Sequence, residues 1–193
     1  MAMPDRPRRE RRPPPPLDAA ALDRLALRYV ERFATSRGKL TDYLRRKVRE
    51  RGWEGPAADP AGVAERMAGF GYVDDRAFAE ARAGAMTRRG LGERRVRDAF
   101  RAAKIGEEDA AEIAPALADA AVDAALTFAR RRRIGPYAAA APVDRAAREK
   151  QVAAMLRAGH SMSLARRIVA IAPGEPIPDD LAPLSRCDAE EPC

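Results

Sequence analysis

The sequence predicts an all-α protein: nine amphipathic helices forming tandem three-helix repeats, three units in an elongated, curved array. Three observations lead there. Helix formers dominate and strand formers are sparse; apolar residues recur at 3.6-residue spacing almost throughout; and some apolar positions repeat at a long fixed interval. Leu40, Val96 and Val152 are separated by 56 residues at each step, as are Leu44, Phe100 and Leu156, and Tyr43, Ala99 and Met155. The three triplets come from one helix of each set and form a single alignment, and the unequal loops make the repeat degenerate. A unit of roughly 50 residues is too small for a self-sufficient core, so each leans on its neighbours.

Each helix has its own signal. In the first, Leu22, Leu25, Ala26, Tyr29, Val30 and Phe33 line one face. Leu40, Tyr43, Leu44 and Val48 line the second, with Ser36 as N-cap and Gly52 as stop. Asp59-Pro60 opens the third, whose Val63, Met67 and Phe70 point inward, and Gly71 ends it. Asp74 or Asp75 caps the fourth, which carries Phe78, Ala81, Ala85 and Met86 and ends near Gly90. The fifth starts near Gly92 with Val96, Ala99 and Phe100 inward; the sixth has Ile113, Ala114 and Leu117, and Pro115 is expected to distort or shorten it. The last three carry Val122, Ala125, Leu126 and Ala129, then Val152, Met155 and Leu156, then Leu164, Ile168 and Ile171. Gly135-Pro136 and Pro142 mark a loop, Gly159 a break, and Ser161 a cap. The resulting division is a disordered basic Pro-rich arm (1–16), three-helix units at 17–71, 72–117 and 118–172, and a disordered acidic tail (173–193).

Charge bears on the class of partner. The 193 residues carry 36 Lys+Arg against 29 Asp+Glu, a net +7. The arm contributes +3 and the tail −5, which leaves +9 on residues 17–172. A single-sign surface of that size favours a polyanion or an acidic protein surface. The choice of Arg over Lys carries little weight, since Arg and Ala enrichment together can reflect coding bias. No stretch has the length of a membrane span and no signal peptide is apparent, so a cytoplasmic protein without membrane contact is expected. Cys187 and Cys193 read as reduced, exposed thiols outside the fold.

The basic residues cluster at matching helices. Arg45, Arg46, Lys47 and Arg49 lie on the second helix and Arg94, Arg95, Arg97 and Arg101 on the fifth; Arg148 and Lys150 follow in the third unit. Further runs occur at Arg88 and Arg89, at Arg130, Arg131, Arg132 and Arg133, and at Arg166 and Arg167. Any one cluster is the ordinary charge of a solvated face, but recurrence at equivalent helices predicts a stripe suited to a phosphate backbone or an acidic filament groove. Aromatics make up 5% of the chain and are not interleaved with most of these positions, so base stacking is not expected.

Residues 151–170 have the cadence of a helix-turn-helix, whose second helix could enter a major groove, although it lacks an Asn/Gln row to read adenine. A DNA-binding regulator using this hairpin is therefore the alternative. Asp74 and Asp75 are better explained as capping carboxylates than as a metal or acid-base pair. One His, no cysteine in the body, no phosphate-cradling loop and no nucleophile elbow leave no catalytic, metal or cofactor residues to assign. His160 is expected to pack or cap locally.

These residues resemble a known family over about residues 20–172. Tyr72-Val73-Asp74-Asp75-Arg76-Ala77-Phe78-Ala79 is similar to the acidic pair, aromatic and Ala of RecX, the bacterial regulator of the RecA recombinase. Residues 32–44, Arg130-Arg131-Arg132-Arg133-Ile134-Gly135-Pro136-Tyr137 and Leu156-Arg157-Ala158-Gly159-His160 are similar too. Lys39 departs from the pattern where the family often has Glu, which removes a capping box with Ser36. The resemblance implies a non-enzymatic monomer of three tandem three-helix units that docks in the groove of the RecA filament. It implies inhibition of filament assembly, ATPase, strand exchange and coprotease activity, hence a role in recombination, DNA repair and the SOS response, with non-specific contact to single- or double-stranded DNA in the filament. On that reading Arg45, Arg46, Arg94, Arg95, Arg97 and Arg101 contribute to the binding face, while Tyr43, Leu44, Phe78, Val96, Phe100 and Leu156 hold the core.

Overall fold

The computed structural model describes residues 15–181. Both cysteines, most of the arm and the last twelve residues of the tail lie outside these residues. Nine α-helices and no strand occur among the described residues: α1 (Ala19–Val30), α2 (Arg37–Arg51), α3 (Pro60–Gly69), α4 (Asp75–Arg88), α5 (Glu93–Ala103), α6 (Glu107–Asp119), α7 (Ala121–Arg132), α8 (Arg145–Arg157) and α9 (Met162–Ala170). Side-chain caps start six of them. Asp18, Ser36, Asp59, Asp74, Asp144 and Ser161 each accept from an amide of the first turn, satisfying donors the helix cannot. Asp74 is thus the cap of α4, while Asp75 is a buried first-turn residue. α6 runs through Pro115, whose ring is exposed, and continues to Asp119 without being shortened.

The chain divides into two compact units, Met1–Val73 and Asp74–Cys193. In the first, Leu22, Ala26, Leu40, Leu44, Val63, Ala64 and Met67 from α1 to α3 form one core. Leu17, ahead of α1, joins it fully buried and pairs with Trp53 in an isolated β-bridge. The second unit holds two clusters. Ala79, Ala83, Val96, Phe100, Ile113 and Leu117 unite α4 to α6, and Ala125, Ala129, Met155, Ala165, Ile168 and Val169 unite α7 to α9. Every cluster draws on three consecutive helices.

Several apolar positions stand elsewhere than their spacing predicts. Phe33 and Phe70 are 56% and 69% exposed, because each lies just past the end of its helix, where the chain turns away from the core face. On α4 the buried stripe is Ala79 and Ala83. Phe78, Ala85 and Met86 are half-buried and Ala81 is exposed. Two alanines let α6 approach closely, which a phenylalanine on that line would prevent. Tyr43 is half-buried rather than interior. In α8 the fully buried residue is Met155; Val152 and Leu156 are only half-buried, although their 56-residue counterparts Leu40, Leu44, Val96 and Phe100 are in the core.

The second unit is locked where the loop between α4 and α5 meets the loop between α8 and α9. Gly92 N–H donates to the Ala158 carbonyl (2.9 Å) and Arg94 N–H to the Gly159 carbonyl (3.2 Å). No side chain fits there: a Cβ on Gly92 would lie 2.5 Å from the Gly159 carbonyl and one on Gly159, itself at φ +99°, 2.6 Å from the Arg95 amide. The segment after α9 also belongs to the fold. Leu181, in a 3₁₀ turn (Asp179–Leu181), is 2% exposed against the α7–α9 cluster and Ile177 packs there too, so these two side chains anchor residues 173–181 to the fold. At the other end, Arg51 donates to the Pro15 carbonyl.

Candidate partner-binding surface

In the first unit, α2 turns Arg45, Arg46 and Arg49 to solvent, and Lys47 is half-buried. Glu50 sits among them, 2.6 Å from Lys47 and 3.6 Å from Arg46. The Lys47 hydrogen bond, then the neighbouring positive charges, hold its carboxyl below the usual value. Beneath them lies an aromatic cluster that linear sequence reading missed. Arg46 and Lys47 stand over the Tyr43 ring at 5.6 and 5.9 Å. Tyr43 stacks on Tyr29 at 4.3 Å, and Tyr29 meets the exposed Phe33 at 5.2 Å. The signal was present as i,i+3 and i,i+4 spacing of Tyr43 with Arg46 and Lys47. What could not be read was the crossing of α1 and α2 that adds Tyr29.

The second unit brings two predicted runs together. Arg88 and Arg89 close α4, and Arg130 to Arg133 close α7. Arg131 donates to the Arg89 carbonyl at 3.0 Å, and a Cβ on Gly90 would strike the Phe128 backbone, so the two helix ends abut. Arg130 lies over the Tyr137 ring (4.9 Å) and donates to its hydroxyl; Arg132 lies over Phe128 (5.9 Å). All six Arg are exposed at helix C-termini, where the dipole stabilises cations. Arg133 caps α7 in the left-handed conformation at φ +53°.

The α5 face is more neutral than its Arg count implies. Arg97 pairs with Glu93, Arg101 with Asp98 at 2.9 Å, and Arg94 donates to the Leu156 carbonyl. Arg95 makes no ion pair among the described residues. Arg94, Arg97 and Arg101 border an open cavity of about 580 Å³ with Leu156, Met162 and Leu164. On α9, Arg167 pairs with Asp180, whereas Arg166 is exposed.

His160 is buried at the glycine lock. Its Nε2 lies 3.0 Å from the Gly90 carbonyl, which can only accept, so that nitrogen carries the proton. Phe128 packs against the ring at 5.6 Å. Burial pushes its pKa below 6.5, with the Gly90 bond opposing. The residue fastens two loops. Among the described residues no group of three His, Cys, Asp or Glu is placed to hold a metal, and no helix is long and apolar enough to cross a membrane.

No protein-family model matches the chain. It is 29% identical to the regulatory protein RecX of Myxococcus xanthus (strain DK1622), over 77% of this chain and 83% of that protein. A crystal structure of a regulatory protein RecX superimposes with a TM-score of 0.53 at 21% identity, covering 77% of this chain and 72% of the other. Both agree with the motif resemblance, and the fold is that of RecX.

Proposed function

We propose that this chain, a protein of the RecX family, is a non-enzymatic regulator that binds the RecA recombinase filament and restrains its assembly, ATPase and strand exchange. The reading is supported above all by the basic surface where the ends of α4 and α7 abut, which presents six exposed Arg, none of them in an ion pair among the described residues. Two of its guanidiniums are oriented by aromatic rings, so less side-chain freedom is lost when a partner binds. A filament wound on nucleic acid is a polyanion, and displaced counterions favour such a contact. Arg45 and Arg49 offer the same chemistry on α2 of the first unit, while Arg46, paired with Glu50, and the paired Arg97 and Arg101 add less. Bound across a growing filament, the protein opposes subunit addition without chemistry of its own. It acts in the cytoplasm as a monomer.

The DNA-reading hairpin draws less support, because Arg167 is engaged by Asp180 and the α8–α9 surface has an apolar floor. The test is ATP hydrolysis by preformed RecA filaments on single-stranded DNA. Slowed hydrolysis by the parent, and weaker inhibition by folded variants lacking Arg88, Arg89 and Arg130 to Arg133, are expected. No effect on the filament, with tight sequence-dependent binding to duplex alone, overturns the proposal in favour of the hairpin.

A further inference from the structure

The outer surface between α8 and α9 holds an open groove of about 540 Å³. Its floor is apolar: Val152 and Leu156 from α8, Met162 and Val169 from α9. Arg148 and Arg166 stand on opposite walls, both exposed and neither in an ion pair among the described residues; Arg145 shares the rim but is taken by Glu149 at 2.8 Å. Two comparisons inside the molecule give the groove meaning. In the first two repeats, the positions equivalent to Val152 and Leu156 are Leu40, Leu44, Val96 and Phe100, all core residues at most 2% exposed, although Phe100 also borders an open cavity between α5 and α6. In the third repeat they face an opening. The other flank of α9, moreover, already holds a short acidic-apolar segment: Asp180 pairs with Arg167, while Ile177 and Leu181 pack against the α7–α9 core.

We propose that the α8–α9 groove is a docking site for an acidic amphipathic segment of a partner protein. Its apolar side chains take the Val152, Leu156, Met162 and Val169 floor, and its carboxylates meet Arg148 and Arg166. Each half of the site selects. The apolar floor disfavours a nucleic-acid backbone, which offers phosphates but no aliphatic side chains, and the two guanidiniums disfavour a neutral or basic peptide. The flank around Asp180 shows the same pairing of one carboxylate with α9 and one or two buried apolar side chains. This inference does not rest on the recombinase reading, and its test contains no recombinase.

The experiment is fluorescence anisotropy with the full chain and a labelled peptide, Asp-Glu-Leu-Glu-Asp-Leu-Phe-Glu-Asp-Ile, whose apolar residues fall at i, i+3, i+4 and i+7. Its controls are the same peptide with every carboxylate replaced by its amide, and a single-stranded thymidine oligonucleotide. Saturable binding of the acidic peptide is expected, at least tenfold weaker for the amide control and for Arg148→Glu/Arg166→Glu. Met162→Asp alters a side chain already 44% exposed, so it leaves the fold intact and is expected to weaken binding severalfold. The proposal is overturned if the acidic peptide does not saturate, or if the amide form binds equally well. It also fails if folded Met162→Asp and the double-Arg variant bind like the parent, or if the oligonucleotide displaces the peptide from the groove.

Discussion

Gly92→Ala tests one of the contacts that join the two helix sets of the second unit. Gly92 has φ −82° and ψ 168°, which alanine adopts freely, so the substitution perturbs packing and not the backbone torsions. The new methyl would lie 2.5 Å from the Gly159 carbonyl carbon and oxygen and 2.6 Å from the His160 amide nitrogen. Backbone on both sides cannot swing away as a flexible side chain would, so the two loops must part by about 1 Å to reach normal contact distance. Parting lengthens the Gly92-to-Ala158 bond from 2.9 Å and the Arg94-to-Gly159 bond from 3.2 Å, taking both outside hydrogen-bonding range. Two backbone bonds at about 1 kcal/mol each and overpacking of about 1–3 kcal/mol sum to a loss of about 3–5 kcal/mol. Urea unfolding followed by far-UV circular dichroism measures it. Gly69→Ala is the control, since nothing lies within 4 Å of a Cβ there; it should be neutral or gain up to about 1 kcal/mol. If Gly92→Ala unfolds within about 0.5 kcal/mol of the parent, the lock does not contribute as described.

His160 should make the same region pH-sensitive. Its folded pKa is lowered by burial, so the unfolded chain binds the proton more readily; the stabilisation is complete above about pH 6.5 and declines as pH falls through the folded value. His160→Gln should flatten the stability profile between about pH 7 and 5.5, and an unchanged profile would show that another group titrates there. Arg133→Gly should stabilise by about 0.5–1 kcal/mol, read as a raised melting midpoint, because Arg133 ends α7 at φ +53°, a conformation glycine adopts without a Cβ penalty. Leu181→Ala should cost about 2–4 kcal/mol in urea, as expected for a side chain 2% exposed in the core; a cost near zero would restore 173–181 to the tail. To ask whether the terminal carboxylates screen the basic body, the chain should therefore be cut after Leu181. Tighter binding of single-stranded DNA by the truncated chain at low salt is expected, and unchanged affinity counts against screening.

Most of the local structure was legible in the chain. Asp59-Pro60, Ser36 and Ser161 start their helices where cap chemistry requires, because the interacting groups are three residues apart and no distant element takes part. The 56-residue spacing marked the equivalent helices, and the core positions Leu40, Leu44, Val96 and Phe100 follow it. Periodicity misplaced Phe33 and Phe70 because it continues along a sequence past the point where the helix stops. On α4 it found Met86, which packs against the core, but missed Ala79 and Ala83, because two alanines carry little hydrophobic signal yet permit the closest approach. The basic clusters could be listed from sequence, but the pairing of Arg97, Arg101 and Arg167 and the meeting of Arg89 with Arg131 depend on where other elements lie.

The sequence by itself determined the helices, their caps and breaks, the sign of the surface, and the motifs that resemble RecX. Those properties arise from interactions over a few residues or from a sum of charges. Tertiary structure alone decided which Arg are already neutralised, that His160 and three glycines fasten the second unit, and that Val152 and Leu156 are left at an open groove. Each of these depends on a distance between atoms remote in the chain, as far apart as Gly90 and His160, and no local pattern encodes that distance.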